Sequence, residues 1–219
     1  MTLPPPFLFD LDGTLADTLP DIAASANHVR VAHGLGPAPA DVARSWLGDG
    51  ARALLSRALA EVLPAAGPSR EAALDAAFAS YVDHHRAQCT VHARLFPGVL
   101  DHLTTLRERG HALAIVTNKP TRFARPVVAH LGLDRLCAVL VGGDTLPVRK
   151  PDPAPLRHAL QQLGSGGDGA TMVGDGLQDL RAAKLLGLCT IACLFGYGDP
   201  AKLRAEGADA YWRAFGVPA

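Results

Sequence analysis

The chain has no excess of charge of either sign and no long hydrophobic run. Its 219 residues include 21 Lys and Arg against 21 Asp and Glu, a balance that does not favour binding to nucleic acid or to an anionic membrane. No stretch approaches the ~20 apolar residues that cross a bilayer. Residues 1–6 have neither the basic region nor the apolar segment of a signal peptide. We therefore expect a cytoplasmic protein without a nucleic-acid or membrane partner.

The chain is also poor in cysteine, and its histidines lack a metal-binding pattern. None of the four cysteines forms a Cys-x-x-Cys pair, so reduced structural thiols are expected. The nine histidines show no His-Glu-x-x-His spacing. His84 and His85 are adjacent on a predicted helix and should point apart, which does not favour a shared metal.

What the chain does have is a change of pattern near residue 92. Residues 17–91 hold almost nothing that alternates like a strand, and they predict helices broken at residues 34–37, 48–50 and 64–68. Helical spacing is shown there by Leu54, Leu55, Ala58, Leu59 and Val62. From Pro97 onward strands and helices alternate, which implies a parallel sheet covered on both faces. We predict an α/β core, formed by residues 1–16 and 92–219, with a helical domain of residues 17–91 inserted after the first strand.

The predicted strands of the core are short and apolar. The first is Phe7–Phe9, and the others lie at residues 112–116, 137–141, 170–173, 189–193 and, briefly, 208–211.

Two acids follow the first strand at once. Asp10 and Asp12 are separated by one residue and are followed by Gly13 and Thr14, which suit a turn. Two carboxylates so close repel each other, and a hard cation such as Mg²⁺ removes that conflict. A carboxylate beside Mg²⁺ can also attack phosphorus as a nucleophile. A bare Asp-x-Asp is more typical of an acidic turn, but the apolar strand before it and the Gly-Thr after it favour the metal site.

Three further predicted strands end in polar residues. These are Thr117 with Asn118, Asp144 followed by Lys150, and Asp175 with Asp179. Each has an ordinary alternative as a turn residue, a solvated loop charge or a favourable charge at a helix start. Because parallel strands end at one edge of a sheet, the four groups are expected to meet in one crevice. Acids, a hydroxyl, an amide and a lysine together predict a site for Mg²⁺ and a phosphate.

Taken together, these motifs resemble the haloacid dehalogenase superfamily in its phosphatase branch. Asp10-Leu11-Asp12-Gly13-Thr14, Thr117, Lys150 and Gly174-Asp175 with Asp179 match its four motifs in order. The resemblance implies a Rossmann-like core with an inserted helical cap. It implies Asp10 as nucleophile and Asp12 as general acid, then base.

The resemblance also implies the ligands of the site. Mg²⁺ would be bound by Asp10, the Asp12 backbone carbonyl and Asp175, with Asp179 in support behind them. Thr117, Asn118 and Lys150 would hold the phosphate.

Within the superfamily, Thr117–Pro120 and residues 142–153 resemble the bacterial phosphoglycolate phosphatases, and residues 46–51 resemble their cap loop. One departure is Gly176-Leu177-Gln178, where a Ser and an Asn or Arg are commoner. The resemblance therefore predicts a Mg²⁺-dependent hydrolase of a small phosphorylated metabolite, with 2-phosphoglycolate as the expected substrate.

Several alternatives stay open. Another small phosphate, such as a sugar phosphate, a sugar-acid phosphate or pyrophosphate, can be the substrate, and a sugar phosphomutase is the nearest rival enzyme. A dehalogenase has no need of Asp12 and the metal-binding acids, and a response-regulator receiver domain is much shorter. The sequence does not decide whether Arg44, Arg52 or Arg57 meets a substrate carboxylate, nor whether the protein is a monomer or a homodimer.

Overall fold

Seven strands form one sheet in the larger of two structural units. The computed structural model describes residues 4–219. Met1–Leu3, part of the segment considered for a signal peptide, lie outside the described residues. The sheet unit comprises the chain up to Asp17 together with Arg94–Ala219, and the helical unit comprises Thr18–Ala93. That the helical unit serves as a cap stays a prediction.

The strands all belong to the sheet unit. They are β1 (Phe7–Phe9), β2 (Ala16–Asp17), β3 (Arg94–Leu95), β4 (Leu113–Val116), β5 (Val139–Val141), β6 (Thr171–Gly174), β7 (Cys189–Cys193), β8 (Ala210–Ala214) and β9 (Val217–Pro218). The main sheet has the order β5-β4-β1-β6-β7-β8-β9, and β2 and β3 pair separately. Neighbouring strands of the main sheet are parallel except β8 and β9. The predicted α/β fold with a mostly parallel sheet is confirmed.

Nine α-helices are described within residues 4–219. They are α1 (Leu19–Ala32), α2 (Ala40–Arg44), α3 (Ala51–Ala58), α4 (Pro68–Gln88), α5 (Val99–Glu108), α6 (Thr121–His130), α7 (Ala154–Gln162), α8 (Leu177–Lys184) and α9 (Pro200–Glu206). The first four form the helical unit, and the other five connect the strands of the sheet unit.

β1 lies in the interior of the sheet, between β4 and β6, and its apolar side chains suit that position. Leu8 is in register with Ala114 of β4 on one side and with Met172 of β6 on the other, and all three are completely buried. Helix α7 packs against β4 and β5, and α8 packs against β6 and β7. The core therefore lies between the sheet and the helices that connect its strands.

A buried carboxylate near the start of the helical unit binds the end of the same segment. Asp21 is fully buried, and its carboxylate accepts the backbone N–H groups of His92, at 3.0 Å, and Ala93, at 2.9 Å. These hydrogen bonds offset the burial of the charge. They fix the path of the chain after α4.

Several element boundaries differ from the predicted ones. Val62 lies in a turn beyond α3 with 44% of its surface exposed, because the helix ends at Ala58. The strand expected at residues 137–141 begins only at Val139, since a 3₁₀ turn at Leu133–Arg135 precedes it. The last predicted strand is shifted to Ala210–Ala214 and has the partner β9. The short antiparallel pair β2 and β3 has too few residues to show alternation.

Among the described residues, no helix is both long enough and apolar enough to cross a bilayer.

Candidate active site

Three neighbouring strands bring the predicted motifs to one edge of the sheet. Asp10 follows β1, Thr117 follows β4 and Asp175 follows β6. Since β4, β1 and β6 are adjacent and parallel, their carboxyl ends lie side by side. The chain leaves β1 for strands on one side of it and later returns to the other side, which is the topology at which α/β sheets bind ligands.

Backbone hydrogen bonds fix the start of the loop after β1 to β6 and close the loop on itself. The Asp10 N–H donates to the carbonyl of Val173 at 2.9 Å, and the Gly13 N–H donates to that of Ala16 at 2.9 Å. Gly13 has a φ of +86°, and a Cβ at this position would collide with the Asp175 carboxylate. Glycine is therefore required here by both conformation and space.

The first group of side chains is a buried cluster of three carboxylates around a lysine. The oxygens of Asp10, Asp175 and Asp179 lie within 4.8 Å of one another, and these residues are 6%, 4% and 0% exposed. The Lys150 ammonium lies 3.0 Å from Asp10 Oδ1 and 2.6 Å from Asp179 Oδ1. It also donates to the Val116 carbonyl at 2.5 Å. We call Asp10, Asp175 and Asp179 the carboxylate cluster.

Burial and mutual repulsion change how these groups ionise. Burial, reinforced by Asp179, Asp175 and Asp12 and opposed by Lys150, raises the pKa of Asp10 to about 8. Burial and the charge of Asp179 raise the pKa of Asp175 to about 6. Burial lowers the pKa of Lys150, but Asp10 and Asp179 outweigh it and raise that pKa above its ordinary value. One ammonium does not compensate three carboxylates.

Hydrogen bonds fix the orientation of Asp175 and Asp179. Thr14 Oγ1 donates to Asp175 Oδ1 at 2.8 Å, and the backbone N–H of Tyr197 donates to Oδ2 at 2.7 Å. At the start of α8, Asp179 Oδ2 accepts the Gly176 N–H at 2.9 Å. These contacts hold both carboxylates in place before any ligand binds.

The donor set fits a hard divalent cation such as Mg²⁺. Three buried carboxylates with excess negative charge and raised pKa values supply the oxygen ligands that this ion prefers. The resemblance places Asp179 behind the ligands, and its carboxylate lies close to those of Asp10 and Asp175. It assigns to the metal only the backbone carbonyl of Asp12, and the Asp12 carboxylate has a different partner.

Asp12 pairs with a second lysine. Lys119 Nζ lies 3.1 Å from Asp12 Oδ1 and 3.2 Å from Oδ2. The Lys119 side chain is 5% exposed and that of Asp12 is 20% exposed. The two acids of the Asp-x-Asp motif therefore have separate cations.

The predicted phosphate-binding residues lie beside these groups. Thr117 Oγ1 accepts the Lys119 N–H at 3.1 Å, which leaves its own O–H hydrogen to donate. Asn118 Nδ2 donates to the Lys150 carbonyl at 2.9 Å and so ties two strand-end loops together. Asp144 is exposed and accepts the N–H and O–H of Thr121, at 2.7 and 2.6 Å, so it is not part of the carboxylate cluster.

Two of the three arginines left open as substrate contacts are paired within the helical unit. Arg52 is paired with Glu71, at 2.6 Å, and with Asp75. Arg57 is paired with Asp49, and it donates to the Trp46 carbonyl at 2.8 Å.

Sequence reasoning did not assign roles to Thr14, Lys119 or the Tyr197 backbone. Thr14 and Lys119 lie inside the quoted motifs, two residues after Asp12 and Thr117. Their position at strand ends was a usable signal. Tyr197 contacts Asp175 through its backbone N–H, so the type of its side chain gave no signal of this role.

Comparisons with known proteins give a consistent result. A family model of haloacid dehalogenase-like hydrolases matches residues 7–193. Phosphoglycolate phosphatase 1 of Pseudomonas aeruginosa is 39% identical over 93% of this chain and 74% of its own length. A phosphoglycolate phosphatase of Neisseria meningitidis is 38% identical over 91% of this chain and 84% of its own.

Solved structures of similar fold are also found. A crystal structure of a predicted phosphoglycolate phosphatase from Haemophilus somnus 129pt has a TM-score of 0.83 at 30% identity and covers 98% of this chain and 96% of its own. CbbY from Rhodobacter sphaeroides, solved in complex with phosphate, has a TM-score of 0.78 at 25% identity, covering 98% of this chain and 95% of its own.

Proposed function

The chain belongs to the haloacid dehalogenase-like hydrolase family and resembles its phosphoglycolate phosphatases, and from this we propose that it is a Mg²⁺-dependent phosphomonoester hydrolase. The observation that carries the proposal is the buried carboxylate cluster beside Lys150, with Asp12 held apart from it. Burying so many charges at one edge of the sheet costs folding free energy, and their binding of a cation and an anionic ligand accounts for their presence.

The metal would be held by Asp10, Asp175 and the Asp12 backbone carbonyl, with Asp179 close to them. When bound, Mg²⁺ offsets the charge of the acids and of the phosphate oxygens, and so permits a carboxylate to approach a phosphate dianion. A nucleophile must be ionised, whereas burial raises the pKa of Asp10 to about 8. The site therefore needs a cation that favours the ionised carboxylate. Lys150 supplies a fixed positive charge to the same end.

In the proposed first step, an oxygen of Asp10 attacks phosphorus and the ester oxygen leaves. Asp12 gives its proton to that oxygen, so an alcohol departs and an aspartyl phosphate remains on Asp10. In the second step Asp12 takes a proton from water, which attacks phosphorus and releases phosphate and the free Asp10 carboxylate. Lys150, Thr117 and Asn118 hold the phosphate oxygens.

We propose 2-phosphoglycolate as the substrate, giving glycolate and phosphate, in the cytoplasm. The support is the agreement of the relatives, which are named phosphoglycolate phosphatases at 37–39% identity. A phosphate-release screen of small phosphoesters with Mg²⁺, ranked by kcat/KM, tests this. The expected result is phosphate release with 2-phosphoglycolate first, abolished by EDTA and restored by Mg²⁺.

The screen also separates the alternatives. Preference for a sugar phosphate or pyrophosphate would replace the proposed substrate but keep the reaction. Isomerisation of a sugar phosphate without phosphate release would indicate a phosphomutase. Full activity in EDTA would contradict the metal assignment.

A further inference from the structure

Each acid of the Asp10-x-Asp12 motif has its own lysine, and the two lysines come from different loops. Lys150, after β5, forms ion pairs with Asp10 and Asp179. Lys119, after β4, forms an ion pair with Asp12. Among the described residues, the carboxylate cluster consists of Asp10, Asp175 and Asp179, so the carboxylate of Asp12 is separated from it although only one residue lies between Asp10 and Asp12.

The contact between Lys119 and Asp12 restrains both carboxylate oxygens. The ammonium is 3.1 Å from one and 3.2 Å from the other, a geometry in which rotation of the carboxylate lengthens at least one contact. Because the Lys119 side chain is 5% exposed, water screens this pair little. Asp12 keeps 20% of its side chain exposed, so the carboxylate is accessible while its orientation is set.

The backbone around Lys119 is fixed as well. Its N–H donates to Thr117 Oγ1 at 3.1 Å, and its carbonyl accepts the Gly143 N–H at 2.8 Å. Gly143 lies so close that a Cβ there would collide with the Asn118 carbonyl. The loop after β4 is thus clamped to the loop after β5, and the ammonium emerges from a rigid support.

We propose that Lys119 is a positioning residue, which holds the Asp12 carboxylate toward the leaving group and away from the carboxylate cluster. The inference rests on the proposed function, since it assigns Lys119 to the proton transfers of Asp12. Without Lys119, the Asp12 carboxylate loses its orientation, and proton transfer to the departing oxygen slows. Phosphoryl transfer to Asp10 as such does not need Lys119.

The choice of leaving group tests this role. An alkoxide needs a proton to depart, whereas p-nitrophenolate departs without one. The parameter kcat/KM covers the steps through departure of the leaving group. We expect Lys119→Met to lower kcat/KM about 10- to 100-fold for 2-phosphoglycolate and for 2-hydroxyethyl phosphate. For p-nitrophenyl phosphate, kcat/KM should change little. A burst of p-nitrophenol should precede a slower steady state, because hydrolysis of the aspartyl phosphate still depends on Asp12 to take a proton from water.

Matched variants sharpen the experiment. Lys119→Arg keeps the charge and should restore part of the loss on the alkyl phosphates. Asp12→Asn should reproduce the dependence on the leaving group with a larger effect. Lys184→Met is the control, since Lys184 pairs with Glu206 on the exposed surface, and it should leave all three substrates unchanged.

Other outcomes overturn the inference. A loss confined to 2-phosphoglycolate would mean that Lys119 binds the substrate carboxylate, and an equal loss on all three substrates would mean a merely structural role. If the unmodified protein releases phosphate from none of them, the proposed function itself fails.

Discussion

The strand-end edge of the sheet unit and the surface of the helical unit use charge in opposite ways. At the edge, Lys150 is 1% exposed and faces two carboxylates that are 8% exposed or less. In the helical unit, Arg52 is 41% exposed and its partners Glu71 and Asp75 are more than 60% exposed. Exposed pairs cost little and contribute little, whereas buried charges are costly unless compensated. The proposed site therefore lies where charge is buried and only partly compensated.

The largest expected effect is the loss of the proposed nucleophile, Asp10. Asp10→Asn should lower kcat by at least about 10³-fold, because the amide cannot form the covalent intermediate. In EDTA the same change should raise the melting temperature at neutral pH, since a carboxyl group whose pKa is raised in the folded state destabilises the fold there. Enzyme assays and thermal unfolding measure the two effects. Near-normal turnover would contradict the role of Asp10.

Loss of the buried Lys150 ammonium should lower stability more than any other change considered. Lys150→Met leaves Asp10 and Asp179 facing each other and should lower the free energy of unfolding by about 3–5 kcal/mol. Urea unfolding in EDTA measures this, with Lys184→Met as the exposed control. Mg²⁺ should stabilise the variant more than the unmodified protein. A loss equal to that of the control would remove the distinction between buried and exposed charge.

The fold and the candidate site could be predicted from the sequence only where the signal is local. Apolar runs such as Phe7–Phe9 and the acids after them predicted the strand and the position of Asp10 well, because both signals are local. The pairing of Lys119 with Asp12 was not predictable, since it depends on where two loops meet and on how far a long side chain reaches. Asp144 had the same strand-end signal as Asp175, yet the local N–H and O–H groups of Thr121 bind it.

Asp144 gives a smaller effect, at the same edge but on the surface. Partial burial opposes it, but hydrogen bonds from Thr121 and the charge of Arg122 lower the pKa of Asp144. A lowered pKa stabilises the fold above the unfolded value of ~3.9, and this contribution disappears as the pH falls through the lower folded value. Asp144→Ala removes the acceptor of the Thr121 hydrogen bonds and should destabilise the protein by about 1 kcal/mol at pH 7.

The deficit of Asp144→Ala should shrink in acid, as measured by urea unfolding between pH 7 and pH 3. Asp144→Asn keeps an acceptor oxygen without the charge, so it should show a smaller deficit at neutral pH. A deficit in the Ala variant that does not change with pH would mean that the charge of Asp144 plays no part.

The smallest effect is expected in the helical unit. Arg52→Gln removes two exposed ion pairs, and solvent screening should leave the urea midpoint unchanged within error. A large loss of stability would show that surface pairs in this unit matter as much as buried ones and would break the comparison.

The central claim is that Asp10 carries the phosphoryl group, and trapping that intermediate tests it most directly. Asp12→Asn mixed with p-nitrophenyl phosphate and Mg²⁺, quenched in acid and digested, should give a peptide bearing one phosphoryl group on Asp10, because departure of p-nitrophenolate needs no acid while hydrolysis lacks its base. A phosphoryl group on another residue, or none on Asp10 during a burst of p-nitrophenol, would contradict the account.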